Sequence, residues 1–195
     1  MKWAQRAFFA CAVLLLGYSG FVVLDTWSFQ RSESMDFDRL LRDRHVGSQG
    51  ARAVSTDGLL GRIEIPSLGL SAIVIEGIGR TALRRGIGHI PGTAMPGEPG
   101  NVGLSGHRDT FFRPLKDLKI KDEIQFSTLK GDFIYEVESL KVVNPRDVGV
   151  LAPSHENTLT LVTCYPFFYI GSAPKRFVVR ARQVSPITLA RSGVK

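Results

Sequence analysis

The chain predicts an all-β barrel behind one N-terminal membrane-spanning helix, and three observations predict it. From residue 58 onward, seven or eight short β-rich runs alternate with Gly- and Pro-bearing turns, with few helical patterns among them. The run 158–164, Thr-Leu-Thr-Leu-Val-Thr-Cys, has the two-residue period of a strand. Tyr165-Pro166 stops it, because proline cannot continue a central ladder. After a short basic head holding Lys2 and Arg6, residues 7–24 carry no charge, a length at the lower limit for crossing a bilayer.

Residues 1–6 read as a cytoplasmic N-terminus, since Lys2 and Arg6 stay inside, and 7–24 as a signal anchor with the rest exported. A cleaved signal peptide is the competing reading; the apolar stretch is long for one, and no clean small-residue cleavage site follows it. Cys11 has too few uncharged residues before it for a lipoprotein signal and reads as a membrane-facing residue. Residues 25–57 are mixed in character and read as an extracytoplasmic linker, with an amphipathic turn or short helix at 35–41.

Residues 58–185 form the predicted barrel. Strands are expected at 60–66 and 71–77, then a short helical turn at 80–85. The pairs Gly77-Ile78-Gly79 and Gly86-Ile87-Gly88 lack the strand-to-helix spacing of a dinucleotide site and read as turns. After a Pro- and Gly-dense loop at 92–100, a strand at 101–106 delivers His107. Asp109 is placed to cap a short helix at 110–118, which Pro114 limits. Strands at 123–128 and 133–143 follow, joined by Lys130-Gly131-Asp132, and the second must bend. The run 158–164 and a strand at 177–182 complete the set, and 186–195 is a frayed tail.

Composition narrows the function. The chain has 195 residues and a net charge of +7, but its basic residues are scattered and show no nucleic-acid-binding motif, so no nucleic-acid partner is expected. No two histidines have metal-ligand spacing, and neither a metal nor a cofactor is expected. The two cysteines fall in different compartments and cannot pair. Cys164 is then a lone exported thiol, either a buried small hydrophobe or a nucleophile.

A thiol works as a nucleophile only when ionised, so it needs a proton acceptor or a cation nearby. His107, projecting from a Gly-His-Arg-Asp turn at a strand end, is the best acceptor. Arg176, at the start of the strand after Cys164, offers a permanent charge and a donor fork. His89 reads as structural packing; His45 and His155 fall in predicted loops. Asp109 either caps a helix or orients His107. Thr163 either contacts substrate or makes a strand-end hydrogen bond.

Three local sequences then carry a resemblance. They are Gly-Asn-Val-Gly-Leu-Ser-Gly-His-Arg-Asp-Thr-Phe-Phe-Arg-Pro-Leu at 100–115, Thr160-Leu161-Val162-Thr163-Cys164, and Lys-Arg-Phe-Val-Val at 175–179. In this order they resemble the sortase family over residues 58–184. The flanks 165–176 look most like class D sortases. No Asp-Pro occurs in 25–57, so the lid of pilus-building sortases is not expected.

The resemblance implies an eight-stranded barrel and a membrane-anchored cysteine transpeptidase. Cys164 would attack the threonine carbonyl of a C-terminal Leu-Pro-X-Thr-Gly-type sorting signal and hold a thioacyl intermediate. His107 would serve as proton donor and acceptor, and Arg176 would position substrate and stabilise the oxyanion. The implied partners are proteins bearing that signal and an amino group on a cell-wall precursor or surface protein. Two other readings remain open: a thiol endopeptidase that releases the acyl group to water, and a non-catalytic barrel that binds surface peptides.

Overall fold

The computed structural model describes residues 2–46 and 58–187. Eight strands close into one barrel: β1 (Leu59–Ile65), β2 (Leu70–Glu76), β3 (Ile87–His89), β4 (Asn101–Ser105), β5 (Glu123–Ser127), β6 (Asp132–Val143), β7 (Thr158–Tyr165) and β8 (Lys175–Ile187). Around the barrel they run β1-β2-β3-β4-β7-β8-β6-β5. Closure leaves no free sheet edge. All neighbours are antiparallel except β2 with β3 and β4 with β7. A parallel pair needs a crossover. The short helix α2 (Arg80–Arg85) lies in the first, and the segment between Ser105 and Thr158 makes the second.

Alternation along each strand fills the interior. Ile63, Val74, Leu104, Phe126, Leu159 and Val179 are buried in one continuous core. The long strand bends as the sequence requires: its register shifts between Ile134 and Tyr135 and between Val137 and Ser139.

Four expectations are corrected. Residues 86–88 are not a plain turn, because Ile87–His89 forms β3 against Val74, Ile75 and Glu76. A three-residue strand is too short to show a period, and its glycine hides it further. A Cβ on Gly88 would stand 2.3 Å from the Gly77 carbonyl oxygen, so only glycine allows this approach. The helix expected at 110–118 is a 3₁₀ turn, Arg113–Asp117, with Pro114 in its first turn. The strand expected at 177–182 is longer, Lys175–Ile187, and so runs into the tail expected from 186; residues 188–195 lie outside the described residues.

The fourth correction concerns the linker. A single helix, α1 (Lys2–Val46), runs on through the segment read as linker, and residues 47–57 lie outside the described residues. Its N-terminal part, Lys2–Phe21, is long and apolar enough to cross a membrane. Its C-terminal part docks on the barrel. Ile73 and Ile75 alternate with the core residues Ala72 and Val74, so they point outward, yet they are buried beneath a fully buried Phe37. Gln30 accepts from the Ile73 backbone N–H (3.2 Å) and donates to the Arg85 carbonyl, and Asp38 pairs with Arg62.

Candidate active site

Cys164 sits one residue before the end of β7, half-buried. Leu159 and Leu161 point into the core, so alternation turns Thr160, Val162 and Cys164 to the outer face. Arg176 is the residue directly opposite Cys164 on β8. Opposed residues share a face with Cβ atoms roughly 5 Å apart. The Arg176 Nη1 donates to the backbone carbonyls of Lys175 (2.9 Å) and Ala173 (3.3 Å), which holds the side chain at the loop end.

His107 arrives from the other side. β4 runs parallel to β7 with Ser105 level with Val162. The Gly106 N–H continues the ladder to the Val162 carbonyl (3.2 Å), so two residues beyond Ser105 the exposed His107 comes level with Cys164. Three neighbouring strand ends thus bring His107, Cys164 and Arg176 to one barrel rim. An imidazole, a thiol and a permanent cation on one rim are groups suited to proton transfer, covalent attack and charge stabilisation.

The turn around His107 is braced by its own backbone. The N–H groups of Thr110 (3.3 Å) and Phe112 (3.1 Å) both donate to the His107 carbonyl. A Cβ at Gly106 would meet the buried Phe112 ring at 2.7 Å, so glycine lets that ring pack beneath the turn.

Arg108 is the residue that sequence reasoning missed. It is buried, and its guanidinium donates to the carbonyls of Pro166 (2.7 Å), Tyr169 (2.6 Å) and Gly171 (3.4 Å). It therefore ties the residue beside His107 to the loop that joins Cys164 to Arg176. Its signal in the sequence was faint: an arginine in a turn, ahead of a loop whose carbonyls have no strand to pair with.

The remaining candidates resolve as follows. Thr163 is buried on the face opposite Cys164, and its hydroxyl donates to the Gly106 carbonyl (2.8 Å), the strand-end hydrogen bond of its two readings. Asp109 caps no helix; its carboxylate lies 3.5 Å from Arg108 Nε. His89 is buried among Glu76 Oε2 (2.8 Å), Thr93 Oγ1 (3.0 Å) and the Ala94 carbonyl (3.0 Å), a packing role. His45 lies within α1 rather than in a loop, and His155 is exposed in a bend. Cys11 and Cys164 are both free thiols. Among the described residues no group of three or more His, Cys, Asp or Glu stands ready to hold a metal ion.

A recess of about 280 Å³ lies on the same outer face, lined by Thr160, Val178, Arg180, Lys141, Val150 and their neighbours. Val162 pairs with Val178, and the next outward pair is Cys164 with Arg176. The recess thus lies further along β7 and β8 on that face and itself includes none of the three rim residues. A larger hollow of about 590 Å³, between Ser67, Leu68 and residues 116–122, includes none of the three rim residues.

A sequence model of the sortase domain matches residues 63–184. The chain is 30% identical over 189 residues to Sortase D of Bacillus subtilis strain 168, covering 90% of this chain and 95% of that relative. It is 28% identical over 120 residues to Sortase A of Listeria monocytogenes, covering 60% of this chain and 54% of the relative. Among solved structures, a Clostridium perfringens Sortase D5 transpeptidase aligns with a TM-score of 0.64 at 29% identity, over 81% of this chain and 97% of that one.

Proposed function

The chain belongs to the sortase family, and from that premise we propose that it is a membrane-anchored cysteine transpeptidase of the class D type, acting on Leu-Pro-X-Thr-Gly-type sorting signals. The observation that carries this reading is the opposition of Cys164 and Arg176 across β7 and β8, with His107 brought level by the parallel β4–β7 pair.

The chemistry follows from these positions. The Cys164 thiolate attacks the carbonyl carbon of the signal's threonine, and the oxygen takes up negative charge beside the Arg176 guanidinium. As the intermediate collapses, the Thr–Gly C–N bond breaks, His107 gives its proton to the departing amine, and a thioester to Cys164 remains. An incoming amine, on a cell-wall precursor or a surface protein, then attacks the thioester while His107 takes its proton. The thiolate leaves and the new amide is complete. Splitting one amide exchange into two steps avoids direct attack of an amine on an unactivated amide. The helix α1 holds the enzyme in the membrane, with Lys2 and Arg6 on the cytoplasmic side and the barrel outside.

The test is turnover by the full chain in detergent, given a sorting-signal peptide and a small amine. A transpeptidase yields the amine adduct in excess over free acid as amine is raised. A product mixture of free acid alone, whatever the amine, identifies a thiol endopeptidase instead. Binding with no cleavage identifies a peptide-binding barrel.

A further inference from the structure

Strand sense fixes which end of the barrel the rim occupies. β2 and β3 run parallel, β4 runs against β3, and β7 runs with β4. The C-terminal ends of β4 and β7, with His107 and Cys164, therefore lie at the end where β2 and β3 begin. α1 meets the outer face of β2 at its middle residue, Ile73, and passes from there toward Ile75 and across to Arg62 of β1, away from the rim end. Gln30 meets the carbonyl of Arg85, just before β3 starts, and the N–H of Ile73. Seven residues later Phe37 packs with Ile73 and Ile75, bordered by Leu59, the residue opposite Ile75. The apolar run at 7–24 thus leaves the barrel from the end that carries the active-site rim. Only about 9 Å of helix separates Leu24 from Gln30 at 1.5 Å per residue, so this end is held at the depth of lipid headgroups.

That end displays an apolar tip. In the β7–β8 loop Phe168 is 71% exposed, Tyr169 46%, and Ile170 wholly so. Arg108 fixes the loop by gripping the carbonyls of Pro166, Tyr169 and Gly171, which leaves these side chains pointing away from the barrel. The Arg113 guanidinium lies 5.1 Å from the centre of the Phe168 ring. Residues 107–122 and 165–175 together hold six Lys or Arg against three Asp. Aromatic and aliphatic side chains among cations are the composition of a surface that sits in an anionic lipid interface.

We propose that the tip Phe168-Tyr169-Ile170, with Arg113 beside it, is a bilayer-contacting surface that holds the active-site rim against the membrane carrying α1. The proposal rests on reading α1 as a membrane anchor. It makes the barrel a two-point attachment, by helix and by loop, and directs the thiol at polypeptide emerging from the lipid surface.

The test uses the full chain, in a Cys11→Ala/Cys164→Ala background, in vesicles of mixed phosphatidylcholine and phosphatidylglycerol. One nitroxide label is placed at a time through Ile170→Cys at the tip, Leu129→Cys at the opposite end of the barrel, or Leu14→Cys in the apolar run. Accessibility to oxygen and to a water-soluble nickel chelate is measured for each. The expected result is a label at 14 deep in lipid, a label at 170 with an oxygen-to-chelate ratio several-fold above that at 129, and a label at 129 in water. A label at 170 that matches 129 while 14 is in lipid overturns the proposal and leaves the anchor standing. A label at 14 in water overturns the anchor reading and the proposal with it. Shielding at 170 that appears only as protein density rises assigns the tip to contact between copies and overturns the proposal.

Discussion

Cys164 and Arg176 are directly opposed residues of adjacent antiparallel strands, on the outer face of the barrel at one rim. Only eleven residues lie between them in sequence, so one hairpin-like unit carries both the proposed nucleophile and the proposed oxyanion-stabilising cation. The relation is local, set by the hydrogen-bonded register of two consecutive strands.

Replacing Arg176 tests the oxyanion role. Loss of one such donor costs about 3–4 kcal/mol, roughly a hundred- to a thousandfold in kcat. Arg176→Ala is expected to show this loss with Cys164 still open to alkylation. Arg176→Lys keeps the charge but not the fork, and is expected to recover only part of the rate. Steady-state kinetics with a sorting peptide reads both.

Arg108 is expected to matter through the loop. Removing a buried charged donor leaves carbonyls without partners, at a cost of about 2–4 kcal/mol. Arg108→Met should lower the denaturant midpoint and kcat together. Arg108→Lys, which cannot span three carbonyls, should restore stability more than rate. Chemical denaturation and turnover on the same preparations separate the two.

Phe37 tests the docking of α1. It is fully buried over Ile73 and Ile75, and truncating such a ring costs about 3–5 kcal/mol. Phe37→Ala in the full chain is expected to lower the melting temperature of the barrel. An unchanged melting curve would mean that the helix does not cover that face.

Tyr135 gives a pH dependence. Burial inside the barrel pushes its hydroxyl up to about 12, from an ordinary value of 10.0. Below the unfolded value both states are neutral, and the tyrosine leaves stability independent of pH. Between roughly 10 and 12 the unfolded chain ionises and the folded one does not, so stability falls as pH rises, by up to about 3 kcal/mol. Tyr135→Phe should flatten that alkaline limb relative to the parent. Equal slopes in denaturant titrations across that range would contradict the assignment.

How much of this was legible in the sequence depends on how local each feature is. The Cys164–Arg176 opposition could be read because both lie on one consecutive strand pair, with Pro166 marking where the first strand stops. The convergence of His107 could be suspected but not placed, since it depends on a parallel pairing between strands more than fifty residues apart. β3 was hidden by its length and its glycine. The docking of α1 was hidden because residues 25–46 are polar overall, and a single Phe37 carries most of the contact. Thr163 pointed both ways until the face it occupies was known. Arg108 stood beside the more conspicuous His107, and its partners are backbone carbonyls, which carry no side-chain signature.

The most direct measurement is intact mass spectrometry of the enzyme quenched during turnover of a sorting-signal peptide, followed by mapping of the adduct. The account predicts an acyl adduct on Cys164, with the mass of the peptide up to its threonine, released by hydroxylamine and absent from Cys164→Ala. Full turnover by Cys164→Ala, or an adduct on any other residue, would contradict it.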